Sequence, residues 1–114
     1  HHLLSRREFA AIQPGLVLVN TARGPIIDEA ALVEALQDGR VWVAGLDVTE
    51  QEPLPADSPL LQMDNVILTP HVAANSPESR VDLYRLMCEI STEVVNGRVP
   101  PFVVNPEVLS HLRG

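Results

Sequence analysis

The sequence predicts an α/β fold: a parallel sheet of about three strands flanked by helices. Two observations carry this prediction. Short apolar runs rich in β-branched residues occur at 16–19, 41–48 and 65–69, and such runs are typical of buried strands. Helical patterns stand between or after these runs, as in βα units. Because the run from Leu16 to Val19 is continuously apolar, we expect the first strand to be buried on both faces.

Capping residues predict the first two helices. Ser5 and Glu8 have the spacing of a capping box, which predicts a short helix of about seven residues beginning at Ser5. Asp28 is a suitable N-cap for a second helix that runs to about Asp38, and Gly39 is suited to the position just after that helix.

A third helix is predicted to begin at Ser76-Pro77-Glu78, which supplies an N-cap, a proline at the first helical position and an acid in the first turn. Apolar side chains then keep helical spacing as far as Asn96-Gly97. These side chains are Leu83, Leu86, Met87, Ile90 and Val94. Cys88 lies in the middle of this helix, on a face that we expect to be buried.

Composition excludes several functional classes. The chain has 114 residues and a net charge of −7, which argues against a nucleic acid as the main partner. All eight basic residues are arginine, so a Schiff-base lysine and a P-loop lysine are absent from this sequence. The single cysteine excludes an internal disulfide and a Cys-rich zinc site, and we expect no metal site. Apolar runs are far shorter than the roughly 18 residues that span a bilayer. We therefore expect a soluble, cytoplasmic chain with no membrane partner.

Charged and polar residues follow each predicted strand. The segment Asn20-Thr21-Ala22-Arg23-Gly24 follows the first strand, Asp47 ends the second and precedes Glu50 and Glu52, and His71 follows the third. In open parallel sheets, ligands bind at the carboxyl ends of the strands. A carboxylate beside an imidazole fixes its tautomer and favours its protonated form, and an arginine can hold a substrate carboxylate. The pattern predicts a general acid/base site for an anionic substrate.

Simpler interpretations of the same residues stay open at this point. His71 could be a loop histidine whose ring is satisfied locally, Glu52 a solvated acid before Pro53, and Arg23 a clamp on loop carbonyls. Their joint placement after all three strands favours the functional interpretation.

The sequence resembles the D-isomer-specific 2-hydroxyacid dehydrogenases over about residues 3 to 105. The resemblance is carried by NTARGPIIDEAALVEALQDGRVWVAGLDVTEQEP and the later NVILTPH, which occur in the family's order and spacing. The family includes phosphoglycerate dehydrogenase, glyoxylate/hydroxypyruvate reductase, D-lactate dehydrogenase, formate dehydrogenase and the C-terminal-binding-protein corepressors. Its implied fold here is a partial Rossmann-type sheet that lacks the first βαβ half.

The resemblance also implies a reaction and its catalytic residues. The reaction is reversible hydride transfer between NAD, or possibly NADP, and C2 of a small 2-oxo or 2-hydroxy acid. His71 in TPH matches the family's catalytic acid/base, Glu52 matches its partner, and Arg23 in NTARG matches the substrate-binding arginine. Glu50 then has no part in the catalytic pair.

Cofactor contacts are implied in the same way. Asp47 matches the acid that faces the nicotinamide end, and the backbone of Thr21 and Ala22 matches the stretch beside the cofactor. The full set implied at the cofactor is Thr21, Ala22, Arg23, Asp47, His71, Ala73 and Ala74.

The sequence departs from the family in one respect. Family members open their cofactor domain with G-x-G-x-x-G, whereas the glycines here stand at 15, 24, 39, 45, 97 and 114. We therefore expect residues 1–97 to be the C-terminal half of an NAD(P)-binding domain and 98–114 to be the segment returning toward a mostly absent substrate domain. The chain is expected to be a fragment that is inactive alone, taken from a parent enzyme that is a homodimer.

Three alternatives remain. The chain could belong to a corepressor-like protein that senses NAD(H), or it could be an inert half-domain. A hydrolase or transferase is disfavoured because no G-x-S-x-G is present and Cys88 is expected on a buried helix face. Neither the particular 2-hydroxy acid nor the choice between NAD and NADP can be read from the sequence. His1 and His2 could be native or the remnant of an affinity tag, and two histidines are too few to decide.

Overall fold

The computed structural model describes residues 1–110 and divides the chain into two compact units, the first ending at Ala73 and the second starting at Ala74. The last four residues of the predicted return segment 98–114 lie outside the described residues. The first unit holds α1 (Arg6–Ala11), β1 (Leu16–Asn20), α2 (Glu29–Gln37), β2 (Val41–Leu46) and β3 (Val66–Leu68). The second unit holds α3 (Pro77–Val95). Single 3₁₀ turns occur at Gly24–Ile26, Pro59–Gln62 and Pro106–Ser110.

The three strands form one parallel sheet in the order β1-β2-β3. Leu18 pairs with Ala44, and Gly45 pairs with Ile67. This confirms the predicted α/β class and the number of strands. The second and third strands are shorter than predicted, because the chain leaves the sheet at Leu46 and at Leu68 and turns into the loops that carry the polar residues.

One face of the sheet carries the hydrophobic core. Helix α2 packs on β2, and α1 packs on α2. The buried cluster consists of Phe9, Leu18, Ile27, Ala31, Leu32, Ala35, Leu36, Val41, Ala44, Leu46 and Leu60. The prediction that the first strand is buried on both faces is wrong, since Val17 is 54% exposed and Val19 is 69% exposed. Helices α1 and α2 both lie on the core side of the sheet. The β1 side chains that point to the other face, every second residue, therefore remain accessible.

Local hydrogen bonds confirm the predicted starts of the first two helices. The Ser5 N–H donates to the Glu8 carboxylate at 3.0 Å, and Ser5 hydrogen bonds, with help from Arg7, lower the pKa of Glu8 to about 2. The Asp28 carboxylate accepts from the Ala31 N–H at 3.0 Å, which satisfies a donor that the first turn of α2 would otherwise leave free.

Helix α3 begins and ends where the sequence predicts. The Ser76 hydroxyl accepts from the Ser79 N–H at 3.1 Å, and the helix ends just before Asn96. The expectation that Cys88 lies on a buried face is wrong, because the residue is exposed. No residue of α3 is buried, and the described part of the second unit has no other α-helix against which its apolar side could pack. Among the described helices, none combines the length and hydropathy that crossing a membrane requires.

Gly24 allows two loops to approach each other closely. A Cβ atom added at Gly24 would lie 1.9 Å from the carbonyl oxygen of Thr49 and 2.6 Å from the backbone nitrogen of Glu50. Backbone atoms cannot swing away as a flexible side chain can, so this contact admits only glycine. At Gly45, by contrast, an added Cβ would meet only a Val19 methyl at 3.8 Å, which is an ordinary contact.

Gly24→Ala should therefore destabilise the chain by about 1–3 kcal/mol, the usual cost of overpacking a site that cannot relax. Gly45→Ala is the matched control and should cost much less. The comparison is made by urea unfolding of both variants, followed by far-ultraviolet circular dichroism. Equal unfolding midpoints for the two variants would contradict the proposed contact between the Gly24 turn and the Thr49 backbone.

Candidate functional site

The carboxylate of Asp47 organises the loop that follows β3. Its Oδ1 accepts hydrogen bonds from the Thr69 hydroxyl at 2.5 Å and the Val72 N–H at 2.9 Å, and its Oδ2 accepts from the Ala73 N–H at 2.8 Å. These donors, with the Thr69 hydroxyl first, lower the pKa of Asp47. The side chain is buried and joins the end of β2 to the turn after β3.

The turn after β3 presents His71 in an uncommon backbone conformation. The residue has a φ of +55°, in the left-handed region that few non-glycine residues adopt. Its N–H donates to the carbonyl oxygens of Asp47 at 2.9 Å and Thr69 at 3.0 Å. Asp47 also accepts hydrogen bonds from Thr69, which precedes His71, and from Val72 and Ala73, which follow it. These contacts hold the histidine in place.

His71 and Glu52 form a hydrogen-bonded pair. The distance from Nδ1 of His71 to Oε2 of Glu52 is 2.8 Å, and the other carboxylate oxygen accepts from the Thr49 N–H at 3.2 Å. The His71 hydrogen bond is the first cause that lowers the pKa of Glu52, followed by the Thr49 N–H. The two side chains are 49% and 40% exposed, so solutes can reach the pair.

This geometry suits proton exchange at the outer nitrogen of the ring. Because Nδ1 is engaged by the carboxylate, the ring orientation is set, and Nε2 has no partner among the described residues. A histidine held in this way can donate or accept a proton at Nε2.

Asn20 shapes the turn that carries Arg23. Its side-chain oxygen accepts from the Ala22 N–H at 3.1 Å, and its side-chain nitrogen donates to the Arg23 carbonyl at 3.0 Å. The Arg23 guanidinium is exposed and donates to the Ala22 carbonyl at 2.6 Å. Its positive charge contributes to lowering the pKa of Glu52. We did not anticipate the role of Asn20, although a buried amide that ends an apolar strand is a recognisable signal.

A cavity of about 390 Å³ lies in front of the histidine. Its lining consists of Asp47, Thr49, Glu52, Pro53, Leu54, Leu68, Thr69, Pro70 and His71. Three of the predicted site residues, Asp47, Glu52 and His71, therefore meet at one cavity, whereas Arg23 is not part of its lining. The volume is sufficient for a small organic acid or one ring of a larger ligand.

The remaining predicted cofactor residues are Thr21, Ala22, Ala73 and Ala74. Thr21 and Ala22 are exposed on the turn that follows β1. The N–H of Ala73 is engaged by Asp47, and Ala73 is the last residue of the first unit. Ala74 opens the second unit.

Glu50 has a separate partner. Its carboxylate pairs with Nε2 of His2, and its N–H donates to the Glu29 carboxylate at 3.0 Å. Among the described contacts, the Glu50 side chain meets His2 and the Glu52 side chain meets His71. Sequence reasoning did not anticipate the contact with His2, since 48 positions separate the two residues.

Comparison with known proteins finds a matching family and several similar proteins. Residues 1–73 match the NAD binding domain of the D-isomer specific 2-hydroxyacid dehydrogenases. Glyoxylate/hydroxypyruvate reductase B from Enterobacter sp. (strain 638) is 44% identical over 108 residues, which are 95% of this chain and 33% of that protein.

Two solved structures share the fold. One is a D-isomer specific 2-hydroxyacid dehydrogenase from Xanthobacter autotrophicus Py2 in complex with NADPH and MES; it has a TM-score of 0.80 and 38% identity, over 93% of this chain and 43% of that one. The other is D-lactate dehydrogenase with NAD⁺ from Lactobacillus jensenii, with a TM-score of 0.77 and 32% identity, over 90% of this chain and 35% of that one.

The chain spans about a third of the length of the curated relatives that it matches. The matched domain covers most of the chain, and the three-stranded parallel sheet agrees with that match. The chain therefore belongs to the D-isomer specific 2-hydroxyacid dehydrogenase family, within its NAD binding domain.

Proposed function

We propose that this chain supplies the acid/base pair and the nicotinamide end of the cofactor site in an NAD(P)-dependent enzyme that reduces glyoxylate, hydroxypyruvate or a similar 2-oxo acid. The observation that carries the proposal is the hydrogen bond between His71 and Glu52. Both residues line a cavity that Asp47 also lines. The reductase relative from Enterobacter sp. supports the substrate class.

Each charged residue has a distinct role in the proposed reduction. His71 donates a proton from Nε2 to the substrate oxygen, and it takes a proton back in the reverse direction. Glu52 holds Nδ1 and favours the protonated ring by its charge. Arg23 binds the substrate carboxylate through charge-assisted hydrogen bonds, after its guanidinium leaves the Ala22 carbonyl that it contacts here.

The residues present fit one end of a dinucleotide. When bound, NAD(P)H supplies the hydride. Asp47 uses three of its roughly four acceptor positions within the chain, which leaves one on Oδ2 for a carboxamide N–H. Backbone atoms of Thr21, Ala22 and Ala73 are proposed to border the cofactor. The cavity is too small for a whole dinucleotide, and the sequence has no G-x-G turn to hold a pyrophosphate.

A chimera tests the proposal directly. This chain replaces the matching third of the Enterobacter reductase, and oxidation of NADH and of NADPH is followed with glyoxylate or hydroxypyruvate. In that chimera His71→Ala should lower kcat by roughly 10²- to 10⁴-fold, the usual loss when a general acid is removed. The Kd for the reduced cofactor that supports turnover, measured by fluorescence titration, should change little. A kcat within about threefold of the unmutated chimera would show that another group carries the proton.

The pH dependence tests the pair itself. The pKa of Glu52 is held below its ordinary value of 4.5, so the carboxylate is charged at neutral pH. The charged Glu52 carboxylate therefore stabilises the folded chain at pH values above the ordinary pKa. This stabilisation is lost as the pH falls through the lowered pKa. Reduction starts from protonated His71, and the Glu52 charge favours that form. Glu52→Gln removes this negative charge, so the high-pH limit of reduction should move to lower pH, and the rising limb of hydroxy-acid oxidation should move the same way.

The comparison variant for this experiment is Glu50→Gln, assayed in the presence of EDTA. Glu50 pairs with His2 and does not contact His71, so both limbs should stay in position. If Glu50→Gln moves the limbs and Glu52→Gln does not, the partner of His71 is misassigned. If neither variant moves them, the histidine–carboxylate mechanism is wrong.

A further inference from the structure

We propose that the side chains of His1, His2 and Glu50 form a binding site for a late first-row divalent cation, with Zn²⁺ as the reference ion. One ligand atom from each residue can be chosen so that all three lie within 4.8 Å of one another. None of the three residues lines the cavity in front of His71, so the site is separate from the proposed catalytic centre.

Backbone contacts fix the histidine side of this cluster. The N–H of His2 donates to the Pro25 carbonyl at 2.8 Å, and the N–H of Leu4 donates to the Ile26 carbonyl at 3.0 Å. Leu4 also forms an isolated parallel bridge with Ile27. The segment before α1 is therefore attached to the segment that follows the Arg23 turn. His2 itself has a φ of +54°, so the backbone at this residue is in the left-handed region and not in an extended conformation.

The carboxylate side is fixed independently. The Glu50 N–H donates to the Glu29 carboxylate at 3.0 Å, and its side chain already contacts Nε2 of His2. The neighbouring Thr49 hydroxyl donates to the Gln51 carbonyl at 2.8 Å, which tightens the loop at this point. The backbone of His2 and the loop of Glu50 are thus held by hydrogen bonds before any ion arrives, which reduces the ordering needed on binding.

The donor set determines the class of ion. Two imidazole nitrogens and one carboxylate oxygen are a common protein set for Zn²⁺ and leave a fourth position for water. The two rings are close, with centroids 4.0 Å apart and planes at 46°. Mg²⁺ prefers oxygen ligands in octahedral geometry and does not suit this set. The bound ion replaces the direct contact between His2 and Glu50 and links residues 48 positions apart.

The test is calorimetric titration of the metal-free chain with ZnCl₂, and with MgCl₂ in parallel. We expect one Zn²⁺ per chain and no binding of Mg²⁺. Glu50→Gln should weaken Zn²⁺ binding by about tenfold or more, since even residues that only support a ligand can matter by that much. Asp57→Asn removes an exposed acid outside the cluster and should leave the affinity unchanged.

Two further variants keep the proposal falsifiable. His1→Ala removes an exposed ring, which should leave the fold intact, and it should also weaken Zn²⁺ binding by about tenfold or more. A chain extended by two glycines before His1 should bind Zn²⁺ as the unextended chain does, because the site uses side chains only. Unchanged affinity in His1→Ala or in folded Glu50→Gln overturns the site. Loss of binding in the extended chain also overturns it, because the terminal amine would then be the ligand.

Discussion

The carboxylate of Asp47 is the interaction on which the geometry of the candidate site depends. It receives hydrogen bonds from the Thr69 hydroxyl and from two backbone N–H groups beyond His71, while its own carbonyl receives the His71 N–H. These contacts bend the chain after β3 so that His71 adopts a left-handed φ. A buried carboxylate is stable only when its oxygens are satisfied, and here the loop itself provides the donors. The hydrogen bonds of Asp47 thus both stabilise the loop after β3 and position His71.

Asp47 and Glu52 are close in sequence but differ in exposure. This difference suits Asp47 to holding the loop and Glu52 to acting on the proposed proton donor. Asp47 is 5% exposed and bound mainly by groups of the loop, so its charge serves to hold that loop. Glu52 is an accessible residue, and its principal partner is a titratable ring. Local hydrogen bonds lower the pKa of both acids, and both carboxylates interact electrostatically with His71, but only Glu52 is hydrogen-bonded to the ring that is proposed to transfer a proton.

Much of this arrangement could be predicted from the sequence, because it depends on local signals. Asp28 and Ser76 mark helix starts by chemistry that acts within one turn, and the apolar runs identify strands. Exposure could not be predicted in the same way. Val19 and Cys88 were expected to be buried, but the burial of a side chain depends on what covers it, and a pattern of apolar residues does not specify that cover. Contacts between distant residues, such as His2 with Glu50, leave no periodic signal at all.

The loop after β2 carries two acids, Glu50 and Glu52, that contact different histidines. Gly24 brings the turn that carries Arg23 against the Thr49 backbone, so the loop begins at a fixed position beside that turn. Glu50 then faces His2 on one side of the loop, and Glu52 faces His71 on another. Neighbouring acids with separate partners cannot exchange roles without moving the backbone between them, and the contact at Gly24 opposes such movement. The packing at Gly24 is therefore a condition for the electrostatics at His71, because an alanine there would displace the start of the loop on which Glu52 depends.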